Sequence, residues 1–225
     1  MENNNKKKSS KSEQTRLKII DKYLDLITIK RWDKISVKEL CIEVDITRGT
    51  FYQYFNDIYD LMEFIQDYLL EDITKRYKAI KYPVSPSPSS TFFEQRFDFT
   101  PPLSMQAWFA FCQKYPKAVS ALFEPNLGNH YFVKKIKTIL SEYINLMMDN
   151  DGMPRDSLRQ HFTKVFIELH FLAARTWLGS DNEDFLSIDE IINLLNTMRV
   201  GANYLSYKEH TEPDFHTMMQ TPKGE

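Results

Sequence analysis

Glycine is scarce in this chain, with 6 in 225 residues, and the clusters of residues that signal turns are few and far apart. That scarcity argues against a sandwich or barrel of many short strands, and against a Gly-rich phosphate loop. Cysteine is scarcer still: Cys41 and Cys112 stand far apart, without the spacing of a metal site. There is no uninterrupted apolar run of about 20 residues and nothing resembles a signal peptide, so a soluble protein of the reducing cytoplasm is expected. The chain also lacks G-x-S-x-G, H-E-x-x-H, a P-loop and a convincing Cys/His pairing. No enzyme, no cofactor and no metal site is therefore expected.

Apolar and ring surface is abundant. The chain is 42% hydrophobic and 14% aromatic, with 16 Phe and 12 Tyr, too much for a disordered chain. At roughly 100–200 residues per domain its length allows one compact unit or a small domain joined to a larger one. An all-helical chain is expected. Charge is uneven: residues 1–56 hold 12 Lys+Arg against 8 Asp+Glu, net +4, and the remainder holds 17 against 23, net −6. A basic beginning suggests that this end meets a polyanion; a solvated tail carrying Lys6, Lys7, Lys8 and Lys11 is the alternative.

Residues 1–12 lack periodicity and are expected as a flexible basic arm. Leu17, Ile20, Leu24 and Ile27 recur at steps of three and four, marking one face of a helix from about Ser12 to Ile29. Ser36 and Glu39 read as a capping box that opens a short second helix burying Val37, Leu40, Cys41 and Val44. Thr47, a good N-cap residue, opens a third helix through Phe55. Asn56 and Asp57 offer another cap, and Ile58, Leu61, Met62, Ile65, Leu69 and Ile73 carry a long fourth helix to about Lys81. Three prolines make 82–90 a loop. Further helices are expected over 102–115, 116–123, 131–148, 154–178 and, after a second capping box at Ser187 and Glu190, 187–205. The expected organisation is an arm at 1–12, a helix-turn-helix domain at 13–57, a helical domain at 58–206 and a disordered tail at 207–225, without internal repeats.

Two short helices across a tight turn form the layout of the DNA-reading helix-turn-helix, whose second helix lies in the major groove. In that helix Phe51 and Phe55 are spaced to face inward, leaving Arg48, Thr50, Tyr52, Gln53 and Tyr54 to point outward. The tyrosine hydroxyls suit phosphate oxygens, Arg48 a guanine edge, and Thr50 a phosphate or a thymine methyl. Gly49 would let the backbone approach the duplex closely. A small three-helix core with tyrosines at its edge is the alternative.

The run Ile46-Thr47-Arg48-Gly49-Thr50-Phe51-Tyr52-Gln53-Tyr54-Phe55-Asn56-Asp57-Ile58-Tyr59-Asp60-Leu61, with Ser36-Val37-Lys38-Glu39-Leu40 upstream, resembles the signature of the tetracycline-repressor (TetR) family of transcriptional regulators. The resemblance covers about residues 13–65. It implies an all-α fold, with an N-terminal three-helix helix-turn-helix DNA-binding domain linked by a long helix to a helical ligand-sensing and dimerisation domain. Position by position, it implies base or phosphate contacts from Lys38 and Arg48, and backbone contacts from Thr47, Thr50, Tyr52 and Tyr54. Ile58 departs from it, standing where many relatives aim a Lys at a phosphate. That loss should make the salt dependence of binding shallower by about one unit, and the basic arm would compensate.

The resemblance further implies a homodimer joined by the last two long helices. Their stripes, through Leu158, Phe162, Val165, Leu169 and Leu172 and through Ile188, Ile191, Ile192, Leu195, Met198 and Leu205, are wider than one core face needs. It also implies a small-molecule effector, of unknown identity, among the middle helices. Trp108, Phe109, Phe111, Cys112, His170 and Trp177 are candidates to line its pocket, with plain core packing as the alternative. The expected function is a ligand-responsive one-component regulator, a repressor, binding a palindromic operator in double-stranded DNA. The alternative is a helical dimeric co-regulator that acts through protein contacts without reading DNA.

Overall fold

Helix signals dominate the chain, and the computed structural model follows them. It describes residues 2–81, 93–179, 186–212 and 214–215, with side chains from residue 11 onward except at 95 and 96. Among the described residues there are helices and no strand: α1 (Glu2–Ile27), a 3-10 turn (Trp32–Lys34), α2 (Val37–Val44), α3 (Arg48–Phe51), α4 (Ile58–Lys78), α5 (Phe93–Arg96), α6 (Leu103–Lys114), α7 (Pro116–Leu122), α8 (His130–Asn150), α9 (Ser157–Leu178) and α10 (Ile188–Thr211). The expected loop at 82–90 and the tail beyond residue 215 lie outside the described residues.

Several bounds differ from expectation. α1 begins at Glu2, so the segment expected as an arm is its first turns. That segment holds no Gly or Pro, and a nucleated helix propagates at little cost. The buried face of α1 is rotated as well: Ile19, Tyr23, Leu24 and Ile27 are buried, whereas Leu17 is 55% exposed. This rotation takes the Tyr23 ring into the core and lets its hydroxyl donate to the Trp32 carbonyl at 3.3 Å. α9 begins after Asp156, whose carboxylate accepts the Arg159 N–H, instead of at Pro154. α10 continues to Thr211, past the expected end near Leu205. α5 was not expected.

The chain divides into two compact units, the first comprising Met1–Lys75 and Phe111–Ile136, the second Arg76–Ala110 and Lys137–Glu225. This division differs from an expected boundary after Asp57: the first three helices share a unit with most of α4 and all of α7. In the first unit, the Lys117 ammonium meets Asp21 at 2.6 Å and Asp25 at 2.7 Å, and the Trp32 N–H reaches the Leu127 carbonyl at 3.4 Å. Gly128 is required at the α7–α8 corner, because a Cβ there would lie 2.3 Å from the Leu122 carbonyl oxygen.

The turn between α2 and α3 rests on Asp45, at φ 59° and ψ 54°. Its left-handed backbone lets the Asp45 N–H bond the Ile42 carbonyl at 3.2 Å and the Ile46 N–H bond the Cys41 carbonyl at 3.0 Å, closing the end of α2. Aspartate tolerates this conformation better than bulkier residues do.

In the second unit, Tyr77 stacks on Tyr143 with ring centroids 4.2 Å apart. Arg199, with 3% of its side chain exposed, pairs with Asp151, 5% exposed, at 2.6 Å. Burial pushes the Asp151 carboxyl up, and the Arg199 guanidinium pulls it back down. Arg159 is likewise buried, donating to the Met153 carbonyl at 2.9 Å and the Asn145 carbonyl at 2.7 Å.

Replacing Asp45 separates backbone conformation from side-chain chemistry. Asp45→Val puts a β-branched residue in the left-handed region and should cost about 1–2 kcal/mol in urea unfolding, whereas Asp45→Gly should leave stability unchanged or raise it. Equal losses for both variants would contradict a conformational role for this turn.

Candidate nucleic-acid interface

The capping box at α2 forms as its residues require: the Glu39 N–H donates to Ser36 Oγ at 3.2 Å and the Ser36 N–H to Glu39 Oε2 at 3.4 Å. At α3, Thr47 Oγ1 accepts the Thr50 N–H at 3.1 Å and lies 2.9 Å from Thr50 Oγ1. Thr47 and Thr50, expected at the DNA backbone, thus use part of their hydrogen-bonding capacity on the cap. α3 is one turn long instead of reaching Phe55. Beyond it the chain tightens through bonds from the Gln53 N–H to the Thr50 carbonyl and from the Tyr54 N–H to the Phe51 carbonyl.

Phe51 and Phe55 are buried, and Phe51 meets the edge of Tyr52 at 5.6 Å. Outside stand Lys38, Arg48 and Gln53, all exposed, Tyr52, 55% exposed, and Tyr54 and Thr50, half-buried. The six expected contact residues therefore lie on α2, at the N-cap of α3, on α3 and in the turn after it, and none of them is buried.

Ion pairing divides the cations of this unit. Arg16 pairs with Glu13, Lys22 with Asp25, Lys30 with Glu39 and Arg31 with Asp33. The Lys117 ammonium holds the Asp25 carboxyl below its ordinary range, and Lys30 does the same for Glu39. Lys34, Lys38 and Arg48 form no ion pair among the described residues. Their charges remain available to phosphates. Lys34 was not singled out by sequence; only its neighbours' pairing distinguishes it.

The start of α4 offers an anion less. Asp57 Oδ1 accepts the Asp60 N–H at 2.8 Å, and Asp60 Oδ2 accepts the Asn56 N–H at 2.7 Å and its side-chain amide at 2.9 Å. Carboxylates thus occupy this helix end, and Ile58 is buried, 6% exposed. Tyr59, 61% exposed, meets Trp32 edge-on at 5.5 Å.

The six candidates for a ligand pocket are packed as core. Each is at most 3% exposed. The Trp108 indole N–H donates to the His170 carbonyl at 3.2 Å, the Trp177 indole N–H to the Leu186 carbonyl at 2.7 Å, and Phe109 meets Trp177 edge-on at 5.8 Å. Phe111 and Cys112 fall in the first unit and the other four in the second. Two clefts are lined by other residues: one of about 260 Å³ by Asn145, Arg155, Asp156, Arg159 and Gln160, one of about 190 Å³ by Asp151, Asn203 and neighbours. Aromatic rings at helical spacing fill space here instead of enclosing it. Burial raises both the Cys41 and the Cys112 thiol. Among the described residues no group of three or more His, Cys, Asp or Glu is placed to hold a metal ion, and no helix is long and apolar enough to cross a membrane.

No protein-family model matches the sequence, and no curated protein matches it either. Solved structures do match in shape. A TetR-family transcriptional regulator from Streptomyces coelicolor aligns with a TM-score of 0.53 at 18% identity, over 92% of this chain and 87% of that one. A TetR transcriptional regulator from Streptococcus agalactiae 2603V aligns at 0.53 and 13% identity, over 85% and 96%. The fatty acid degradation regulator FadR from Bacillus halodurans aligns at 0.51 and 15%, over 83% and 95%. The fold is that of the TetR-family transcriptional regulators. In this TetR-type fold the residues that resemble the family signature form the α2–turn–α3 segment with its exposed Arg48 and Tyr52.

His170 sets a pH dependence that has nothing to do with DNA. Its Nδ1 donates to the Phe166 carbonyl at 2.7 Å, and burial pushes its pKa down from 6.5 to about 4. The folded ring stays neutral where the unfolded ring takes up a proton, so this contribution is complete above pH 6.5 and is lost as pH falls towards 4. The loss amounts to about 3 kcal/mol at most. In urea unfolding at neutral and mildly acid pH, His170→Phe should lose less stability on acidification than the wild type; an identical loss would show that His170 is not the group responsible.

Proposed function

We propose that this protein is a one-component transcriptional regulator, a repressor that binds a palindromic operator as a homodimer through α2 and α3 and is released by a small-molecule effector. The observation that carries this reading is the capped α2–turn–α3 segment, on which Arg48, Lys38 and Tyr52 are exposed while Phe51 and Phe55 anchor it from within. On this reading the exposed Arg48 meets a guanine edge, Lys38 a base or a phosphate, and Thr47, Thr50, Tyr52 and Tyr54 hold the phosphate backbone. The TetR-type fold supports this, as regulators of that shape cover most of the chain.

Dimerisation is supported by apolar side chains left in water. Leu158, Val165 and Leu172 recur every seven residues along α9 and are 52%, 57% and 47% exposed. Leu194, Met198 and Leu205 on α10 are 47%, 40% and 40% exposed. A second copy would cover such a surface, and its two-fold axis would space two reading helices along a palindrome. Val165→Glu together with Leu172→Glu should convert a dimer to a folded monomer in sedimentation; a dimer that survives both would reject this surface.

One observation favours a second reading. Carboxylates at the start of α4 and the buried Ile58 deprive the duplex of a phosphate contact, which suits a dimeric co-regulator that acts through protein contacts. Binding of the purified protein to DNA flanking its own gene, measured at two salt concentrations, separates the two. The regulator reading expects saturable, sequence-selective binding, weakened by about 1–3 kcal/mol in Arg48→Ala and less in Tyr52→Phe. Micromolar, sequence-indifferent binding that is untouched by Arg48→Ala would support the co-regulator instead.

A further inference from the structure

The cleft of about 190 Å³ lies in the second unit, where the last turns of α10 meet the turn between α8 and α9, beside Phe93. What it offers a ligand follows from which hydrogen-bonding positions are already used. A guanidinium has five N–H donors, and those of Arg199 are all engaged. Nε donates to Asp151 Oδ2 at 2.8 Å, Nη2 to Asp151 Oδ1 at 2.6 Å and the Asp98 carbonyl at 2.9 Å, and Nη1 to the Thr100 carbonyl at 3.0 Å and Asn196 Oδ1 at 2.8 Å. Asn203 uses both amide protons, on Asp151 Oδ2 at 3.2 Å and the Arg199 carbonyl at 2.9 Å. The N–H groups of Asp151, Gly152 and Met153 bond the carbonyls of Met147, Asp149 and Met148. The Thr211 hydroxyl donates to the Tyr207 carbonyl and His210 Nδ1 to the Ser206 carbonyl.

What remains on these groups accepts hydrogen bonds. A carboxylate has about four lone-pair positions; Arg199 and Asn203 use three on Asp151, which leaves one on Oδ1. Asn203 retains Oδ1, His210 has Nε2 outside its bond to Ser206, and Thr211 retains its oxygen. The C-terminal carbonyls of α10 add partial negative charge. Phe93 and Tyr207, with centroids 5.4 Å apart, line the same space with aromatic surface. An anion would meet the Asp151 carboxylate, and a hydrocarbon would strand the acceptors.

We propose that this cleft binds a small ring-bearing primary amine as its ammonium ion, with an N–H directed to Asp151 Oδ1 and the ring against Phe93 and Tyr207. A cavity of about 150 Å³ takes up benzene, so one ring with a short aminoalkyl chain fits the volume. The bound ion would tie the α8–α9 turn to α10. The site stands independently of DNA reading, since it rests only on groups of the second unit.

Calorimetric titration of the full chain with phenethylammonium chloride tests it, with phenethyl alcohol and phenylacetate as neutral and anionic probes of the same shape. The ammonium ion should bind saturably and at least about tenfold tighter than either, a comparison that requires no variant. Tyr207→Leu should weaken it several-fold while melting like the wild type; Asp151→Asn should abolish the preference for ammonium over alcohol, if its melting shows that it folds. No saturable binding up to millimolar concentration, equal binding of the alcohol, or unchanged binding to a folded Tyr207→Leu protein would each overturn the proposal.

Discussion

Arg199 keeps its charge almost wholly out of water, and the second unit is arranged around satisfying it. The guanidinium gathers Asp151 from the end of α8, the Asp98 and Thr100 carbonyls from the segment before α6, and Asn196 from its own helix. An ionised group in this setting costs several kcal/mol of desolvation, of the order known for buried ion pairs, which is offset only when every donor is met. That requirement joins segments lying 48 to 101 residues apart in the chain. Arg159 does the same on a smaller scale, stitching the end of α8 to the start of α9. The same rule governs the neutral groups: the indoles of Trp108 and Trp177 and the ring of His170 each end on a backbone carbonyl, so the rings expected to line a pocket serve as core.

In the first unit, polar satisfaction works locally and leaves a remainder. Ser36 and Thr47 cap their helices, Asp45 turns the chain between them, and the carboxylates of Asp21, Asp25, Asp33 and Glu39 take up most of the nearby cations. Lys34, Lys38 and Arg48 are left without an ion pair among the described residues, and they and Tyr52 are exposed. A surface with unmatched positive charge and hydroxyls, held rigidly by two buried phenylalanines, is what a polyanion requires. The net charge of the chain, −2, hides this because the excess is local. The carboxylates at the start of α4 set a limit to it on one side.

The same bookkeeping of donors and acceptors distinguishes the cleft beside Asp151 from the core around Trp108. In that core the indoles of Trp108 and Trp177 each end on a carbonyl and the rings fill the space. Beside Asp151 the donors of Arg199 and Asn203 are used up while one carboxylate position and the Asn203 carbonyl oxygen still accept, so the proposed preference for a donor ligand rests on several groups together.

Much of this protein was legible from its sequence, because much of it is decided within a few residues. Capping at Ser36, Thr47 and Ser187, the stop at Gly179, and the inward Phe51 and Phe55 beside the outward Arg48 and Tyr52 follow from groups three or four positions apart, whose geometry any helix supplies. What remained for the tertiary structure depends on partners far along the chain. The rotation of α1 that buries Tyr23 and exposes Leu17, the core role of Trp108 and His170, and the meeting of Arg199 with Asp151 each require separate segments to pack. Helical periodicity names two adjoining faces equally well, and only packing selects which of them leaves the water.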